Sequence, residues 1–91
     1  MSAITIRLPG PLRPYADGSS TVEVGQAPCS LGELLAALER EHPLVGRRVI
    51  DEQGRIRRHV HVFVGEERAS ALSDPVDAGA EVTILAAVSG G

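Results

Sequence analysis

Residues 82–91 read VTILAAVSGG, and two kinds of backbone meet inside that stretch. Val82 and Ile84 alternate with Thr83 and Leu85, the period of two that marks a strand with one buried face. At Ala86 the alternation stops. Ala87, Val88, Ser89, Gly90 and Gly91 are too small to pack as a core element, and glycine without a Cβ accepts almost any backbone angle. Five extended residues reach about 17 Å, enough to thread a narrow channel in another protein. The expectation is a folded domain over residues 1–86 and a flexible tail over 87–91 that presents the Gly91 α-carboxylate with the least possible steric hindrance.

Working back from that strand, the same alternation recurs. Ile4, Ile6 and Leu8 point inward while Thr5 and Arg7 point outward. Pro9-Gly10-Pro11 ends this first strand, because proline cannot donate to a ladder. Leu12 and Tyr15 then tuck a short turn onto the core. Residues 21–24 repeat the pattern, and so do Val60, Val62 and Val64 against His61 and Phe63. The strongest helical signal covers residues 30 to 41. Ser30 followed by Glu33 is a capping box, Leu31, Leu34, Leu35 and Leu38 share one face, and His42-Pro43 stops the helix. Cys29, just before the cap, suits a hydrophobic staple. Residues 44–50 predict a short second helix, 68–72 a brief edge strand, and 73–79 a loop. One main helix on one face of a mixed four- to five-stranded sheet is an α+β fold.

Composition narrows the function. Ninety-one residues with 43% apolar content make one small domain with a modest core. With one Phe, one Tyr and no Trp, that core must be aliphatic. A net charge of −3 carries no nucleic-acid footprint. All nine basic residues are Arg, so no side-chain amine is available for linking copies of the chain together. A single cysteine, no signal-like N-terminus and no long apolar run predict a soluble cytoplasmic protein without a membrane span.

No catalytic machinery is visible. His59 and His61 lack a third ligand placed by sequence logic, so no metal is expected, and the lone thiol has no evident activating base. The uncovered sheet face is more informative. By parity it carries Thr5, Arg7, His61, Phe63, Thr83 and Leu85. If the last strand lies between the first and third, Phe63 and Leu85 form an exposed apolar patch at the root of the tail, rimmed by Arg7 and His61, as a docking surface would be. Arg47, Arg48, Arg55, Arg57 and Arg58 form a basic cluster that reads first as solvated surface and second as steering toward an acidic partner.

The ITIRL strand, the LRPY segment, HVHVFVGEE and above all EVTILAAVSGG resemble the MoaD/ThiS family of ubiquitin-like sulfur carriers. The likeness covers essentially the whole chain and is greatest to the CysO branch, with Ala87 standing where many relatives place proline. It implies a β-grasp fold and a protein cosubstrate that binds no cofactor itself. A ubiquitin-activating-type adenylyltransferase would use ATP to turn the Gly91 carboxylate into an acyl adenylate, and sulfur would displace AMP to leave a thiocarboxylate. Gly90 and Gly91 would keep the partner channels passable, with Ser89, Val88 and Ala87 as channel contacts and Leu85, Phe63, Arg7 and His61 as docking residues. The acceptor implied is a PLP-dependent cysteine synthase, otherwise a molybdopterin or thiazole synthase. A lysine-linked protein modifier, or a plain binding module with an incidental tail, are the readings of other classes.

Overall fold

The computed structural model describes residues 2–69 and 71–86. Strand β1 (Ser2–Arg7) is followed by a 3₁₀ helix (Gly10–Ala16), β2 (Thr21–Ala27), β3 (Cys29–Ser30), helices α1 (Leu31–Glu41) and α2 (Pro43–Val49), then β4 (Val60–Val64), β5 (Glu67–Arg68), β6 (Pro75–Val76) and β7 (Val82–Ala86). Five strands form one sheet in the order β2-β1-β7-β4-β5. Strand β7 pairs parallel with β1 and antiparallel with β4, so the sheet is mixed and the last strand is central. A parallel neighbour needs a crossover, and here α1, α2 and β4 lie within that connection.

The core is aliphatic, as the composition required. Ile4, Ile6, Val24, Val62, Val82 and Ile84 from alternate strand positions meet Leu31, Leu34, Leu35 and Leu38 from α1, all fully or almost fully buried. No polar or charged side chain is buried among the described residues. The α1 terminus is closed as its sequence predicts. Ser30 Oγ accepts from the Glu33 backbone N–H at 3.1 Å, and Glu33 Oε1 accepts from the Ser30 N–H at 2.9 Å, so two otherwise orphaned donors are satisfied reciprocally.

The next orphaned donors of α1 reveal an element that periodicity could not show. Leu31 N–H donates to the Asp74 carbonyl and Gly32 N–H to the Leu72 carbonyl, both at 2.8 Å. Beside them Cys29–Ser30 pairs with Pro75–Val76 as a small second sheet. The 73–79 segment therefore contains a strand, and the edge strand expected over 68–72 is confined to Glu67–Arg68. Two-residue strands are too short to display alternation, and the carbonyls of 72 and 74 are committed to the helix terminus instead of a sheet edge.

Two further details differ from expectation. Strand β2 continues to Ala27, through Gly25. Ser2 faces Ala27 but Ile4 faces Val24, so β2 holds one extra residue. Gly25 at φ +64° supplies the left-handed conformation such a bulge uses. Leu12 is buried as expected, but Tyr15 is 38% exposed. The Arg48 guanidinium covers its ring 3.6 Å from the centroid, so the ring lies under a cation at the surface and not in the core.

Helix α2 packs on α1 through Gly46. A Cβ there would come within 2.4 Å of the Glu39 Cα, closer than any contact can be, and the obstacle is backbone. Gly46→Ala should therefore destabilise the domain despite alanine's better helix propensity. The expected loss is about 1–3 kcal/mol, as for overpacking, which thermal unfolding would register as a drop of several degrees. In the turn after α2, Asp51 Oδ1 accepts from the backbone N–H of Arg55 at 3.0 Å and of Gln53 at 2.8 Å. The Arg55 bond above all holds the Asp51 carboxyl below its ordinary range. A depressed folded-state pKa means that this stabilisation is present above the unfolded pKa and is lost as pH falls through the folded one. Amide exchange in residues 53–55 should accelerate in acid, relative to the intrinsic rate, in the native protein and show no such titration in Asp51→Asn.

Candidate functional site

Strand β7 is central, and its outward Thr83 has a strand neighbour on both sides. The pairing with β1 ends at Thr83, so Leu85 is paired only with β4 and, contrary to expectation, is not flanked by Arg7. The register sets His61 opposite Leu85 and Phe63 opposite Thr83, while Arg7 lies beside Thr83 on the other flank. Leu85 is 46% exposed and stands one residue before the end of β7 at Ala86. Arg7 is exposed and its Nη1 lies 3.4 Å from Glu81 Oε1, an ion pair in solvent that contributes little to stability. Arg7, His61, Phe63, Thr83 and Leu85 thus share the face opposite α1, as parity requires.

The patch is narrower than expected. Phe63 is half-buried, flanked by Thr83 on one strand and Arg68 on the other, so Leu85 is its more exposed apolar member. The condition that the last strand lie between the Ile4 strand and the Val60 strand is met, since β7 sits between β1 and β4. Arg68 is the residue that sequence reasoning missed. The β4–β5 hairpin turns at Gly65, at φ +62°, and returns Arg68 to the place opposite Phe63. The Gly65-Glu66 turn was legible, but not the register it imposes.

Ala87, Val88, Ser89, Gly90 and Gly91 lie outside the described residues. The site is thus defined structurally by the strand that leads toward them.

Other candidates resolve into structural parts. His59 precedes β4, exposed, while His61 lies within it. No three His, Cys, Asp or Glu side chains among the described residues are grouped to hold a metal ion. Cys29 is half-buried against the core. Burial, and secondarily the Glu33 carboxylate, push its thiol pKa up, which suppresses the thiolate a nucleophile needs. Of the basic cluster, Arg48 is stacked on Tyr15, Arg57 Nε donates to the Arg47 carbonyl at 2.9 Å, and Arg55 Nε lies 3.8 Å from Asp51 Oδ2. No described helix is long and apolar enough to cross a membrane.

A mixed five-stranded sheet holding one main helix on one face, with a central last strand, is the ubiquitin-like β-grasp architecture. The chain belongs to the ThiS family of ubiquitin-like carriers and modifiers, matching it over residues 6–91. It is 36% identical over 75 residues to small archaeal modifier protein 1 of Haloferax volcanii, covering 81% of this chain and 85% of that one. The crystal structure of that protein superposes with a TM-score of 0.82, covering 98% of this chain and 99% of the other. Mycobacterium tuberculosis CysO, described as an antigen, superposes at 0.78 with 29% identity, covering 93% and 99%. A chain in the Amycolatopsis orientalis BexX/CysO complex gives 0.81 and 30%, covering 98% and 100%. CysO structures among the neighbours agree with the branch resemblance of the sequence.

If Cys29 is a packing residue, its alkylation by iodoacetamide at neutral pH should be slower than that of a free cysteine and should speed up in denaturant. Rapid labelling of the folded protein would return the thiol to the functional candidates.

Proposed function

We propose that this protein is a sulfur carrier, a cosubstrate handled by partner enzymes in the cytoplasm. A carboxylate is a poor electrophile, because its charge repels nucleophiles and oxide is a poor leaving group. In this reading an adenylyltransferase of the ubiquitin-activating type couples ATP to the Gly91 carboxylate. Pyrophosphate leaves as the acyl adenylate forms; AMP is then the leaving group, and its displacement by sulfide-level sulfur leaves a thiocarboxylate. A second enzyme then encloses the tail and directs the terminal sulfur at an electrophilic acceptor, shielding it from hydrolysis while positioning it. The protein contributes no catalytic group and binds no cofactor of its own. Gly90 and Gly91 keep the channels passable, Ser89, Val88 and Ala87 contact the channel walls, and Leu85, Phe63, Arg7 and His61 address the body to its partners.

The observation that carries this reading is the exposed Leu85 on the central strand, beside His61 and one residue before Ala86. A partner that grips this face is placed at the origin of the tail. The family match, which extends to Gly91, supports it. Likeness to CysO proteins favours a PLP-dependent cysteine synthase as the acceptor over a molybdopterin or thiazole synthase. The 36% identity to an archaeal modifier protein favours one second reading, a modifier joined through Gly91 to lysines of target proteins.

Intact-mass measurement of the protein from its native host separates the two. One oxygen replaced by sulfur is the expected result for a carrier. High-mass amine-linked adducts without any sulfur-bearing form would establish the modifier instead. An unmodified chain under every sulfur supply would refute both. For the docking face, Leu85→Asp should weaken association with the adenylyltransferase by at least about tenfold, the scale of a hot-spot residue, with unfolding temperature preserved. Phe63→Ala should act in the same direction. Calorimetric titration with equal affinity for the native chain and both variants would remove the face from the account.

A further inference from the structure

The arginine-rich segment after α2 and the β4–β5 hairpin meet around a cavity of about 220 Å³ at the edge of β4. Its polar lining is Arg57, Arg58, Arg68 and His61, set against apolar contributions that include Ile56 and Ala69, and no carboxylate among the described residues lines it. Arg58 and Arg68 are exposed and make no ion pair with the described residues. Arg57 spends its Nε on the Arg47 carbonyl, which fixes the side chain. His61 Nδ1 is buried and has no hydrogen-bond partner among the described residues. Buried polar atoms are nearly always satisfied, so an orphan in a native fold calls for an absent partner.

These features belong together chemically. Arg57 also faces the Asp51 carboxylate, so the charge at the cavity without an ion-pair partner among the described residues is that of Arg58 and Arg68. Guanidinium groups brought together in this way repel one another. Planar guanidinium forks match a carboxylate or phosphate edge and donate paired hydrogen bonds to it. A small cavity with three such groups and an unsatisfied imidazole nitrogen suits a single oxyanion. The β4–β7 register places His61 directly opposite Leu85, so the cavity borders the docking face and shares one of its residues.

We propose that this cavity receives an Asp or Glu carboxylate from the adenylyltransferase, as the charged rim of the contact centred on Leu85. This assignment rests on the carrier reading, under which that enzyme grips the face. A charged rim beside an apolar centre governs orientation and association rate more than residence time. Arg58 and Arg68 steer the encounter, Arg57 receives the carboxylate in a fixed geometry, and the His61 ring closes the site on the Leu85 side.

Two measurements test this. The first needs no partner and uses inorganic phosphate as the oxyanion probe in an NMR titration of the full chain. Saturable shifts confined to the His61 ring and the guanidinium Nε–H signals of Arg57, Arg58 and Arg68 are expected, and they should vanish in Arg58→Gln/Arg68→Gln. Shifts that never saturate, or that spread evenly over all nine arginines, overturn the site. The second is stopped-flow association with the adenylyltransferase. Arg58→Glu/Arg68→Glu should slow association about tenfold at low salt, within the range of electrostatic steering, and the difference should shrink at high salt. Both side chains are exposed, so the melting temperature should not move. Phosphate binding combined with an unchanged association rate overturns the assignment to this partner. Failure of the carrier reading looks different: no adenylate or thiocarboxylate forms on Gly91, while the phosphate titration is unaffected.

Discussion

The structure depends on the insertion of β7 between β1 and β4. Val82 and Ile84 are wholly buried, and the strand's backbone is paired on both edges, parallel on one side and antiparallel on the other. A chain end is ordinarily where order is lost first. Here the strand leading into the last residues lies at the middle of the sheet, between β1 and β4. Whatever pulls on the residues beyond Ala86 pulls against paired backbone and buried aliphatic side chains. The outward side chains near the end of that strand, Leu85 and His61, therefore stand on paired backbone.

A second fastening supports the first. The backbone of residues 72–76 supplies acceptors to the first turn of α1 and a short strand to Cys29–Ser30. That segment also delivers the chain to β7. If this segment and the helix terminus separate, the first-turn N–H donors of α1 and the carbonyl acceptors of residues 72 and 74 both lose their partners. Gly46 adds the close approach of α2 to α1, and α2 in turn presents Arg48 to Tyr15. The helical layer is tied to the sheet at its start and to the 3₁₀ segment at its finish.

Much of this was legible in the residues because the core uses strict periodicities. The leucines of α1, the capping box and the alternating strands each gave one answer, and the parity of the final strand gave the membership of the outer face. What was not legible depends on partners distant in sequence. Residues 72–76 carry no pattern, since their role is to offer carbonyls to a helix some forty residues earlier. Tyr15 reads as apolar in a periodicity count, yet its ring lies at the rim where Arg48 can cover it. Phe63 is on the expected face, but the hairpin register that brings Arg68 beside it cannot be counted from the turn alone. The grouping of Arg57, Arg58 and Arg68 around His61 depends on the same hairpin.

An interior whose buried side chains, among the described residues, are all Val, Ile, Leu and Ala is specified by volume and little else. Such interiors accept exchanges of one aliphatic residue for another of similar size at small cost. Scaffolds of this kind can share a backbone trace while agreeing at only about a third of positions, as the superpositions at 29% to 33% identity illustrate. The exterior is then free to be rewritten for a new customer without renegotiating the inside, and a single mould can serve as many couriers.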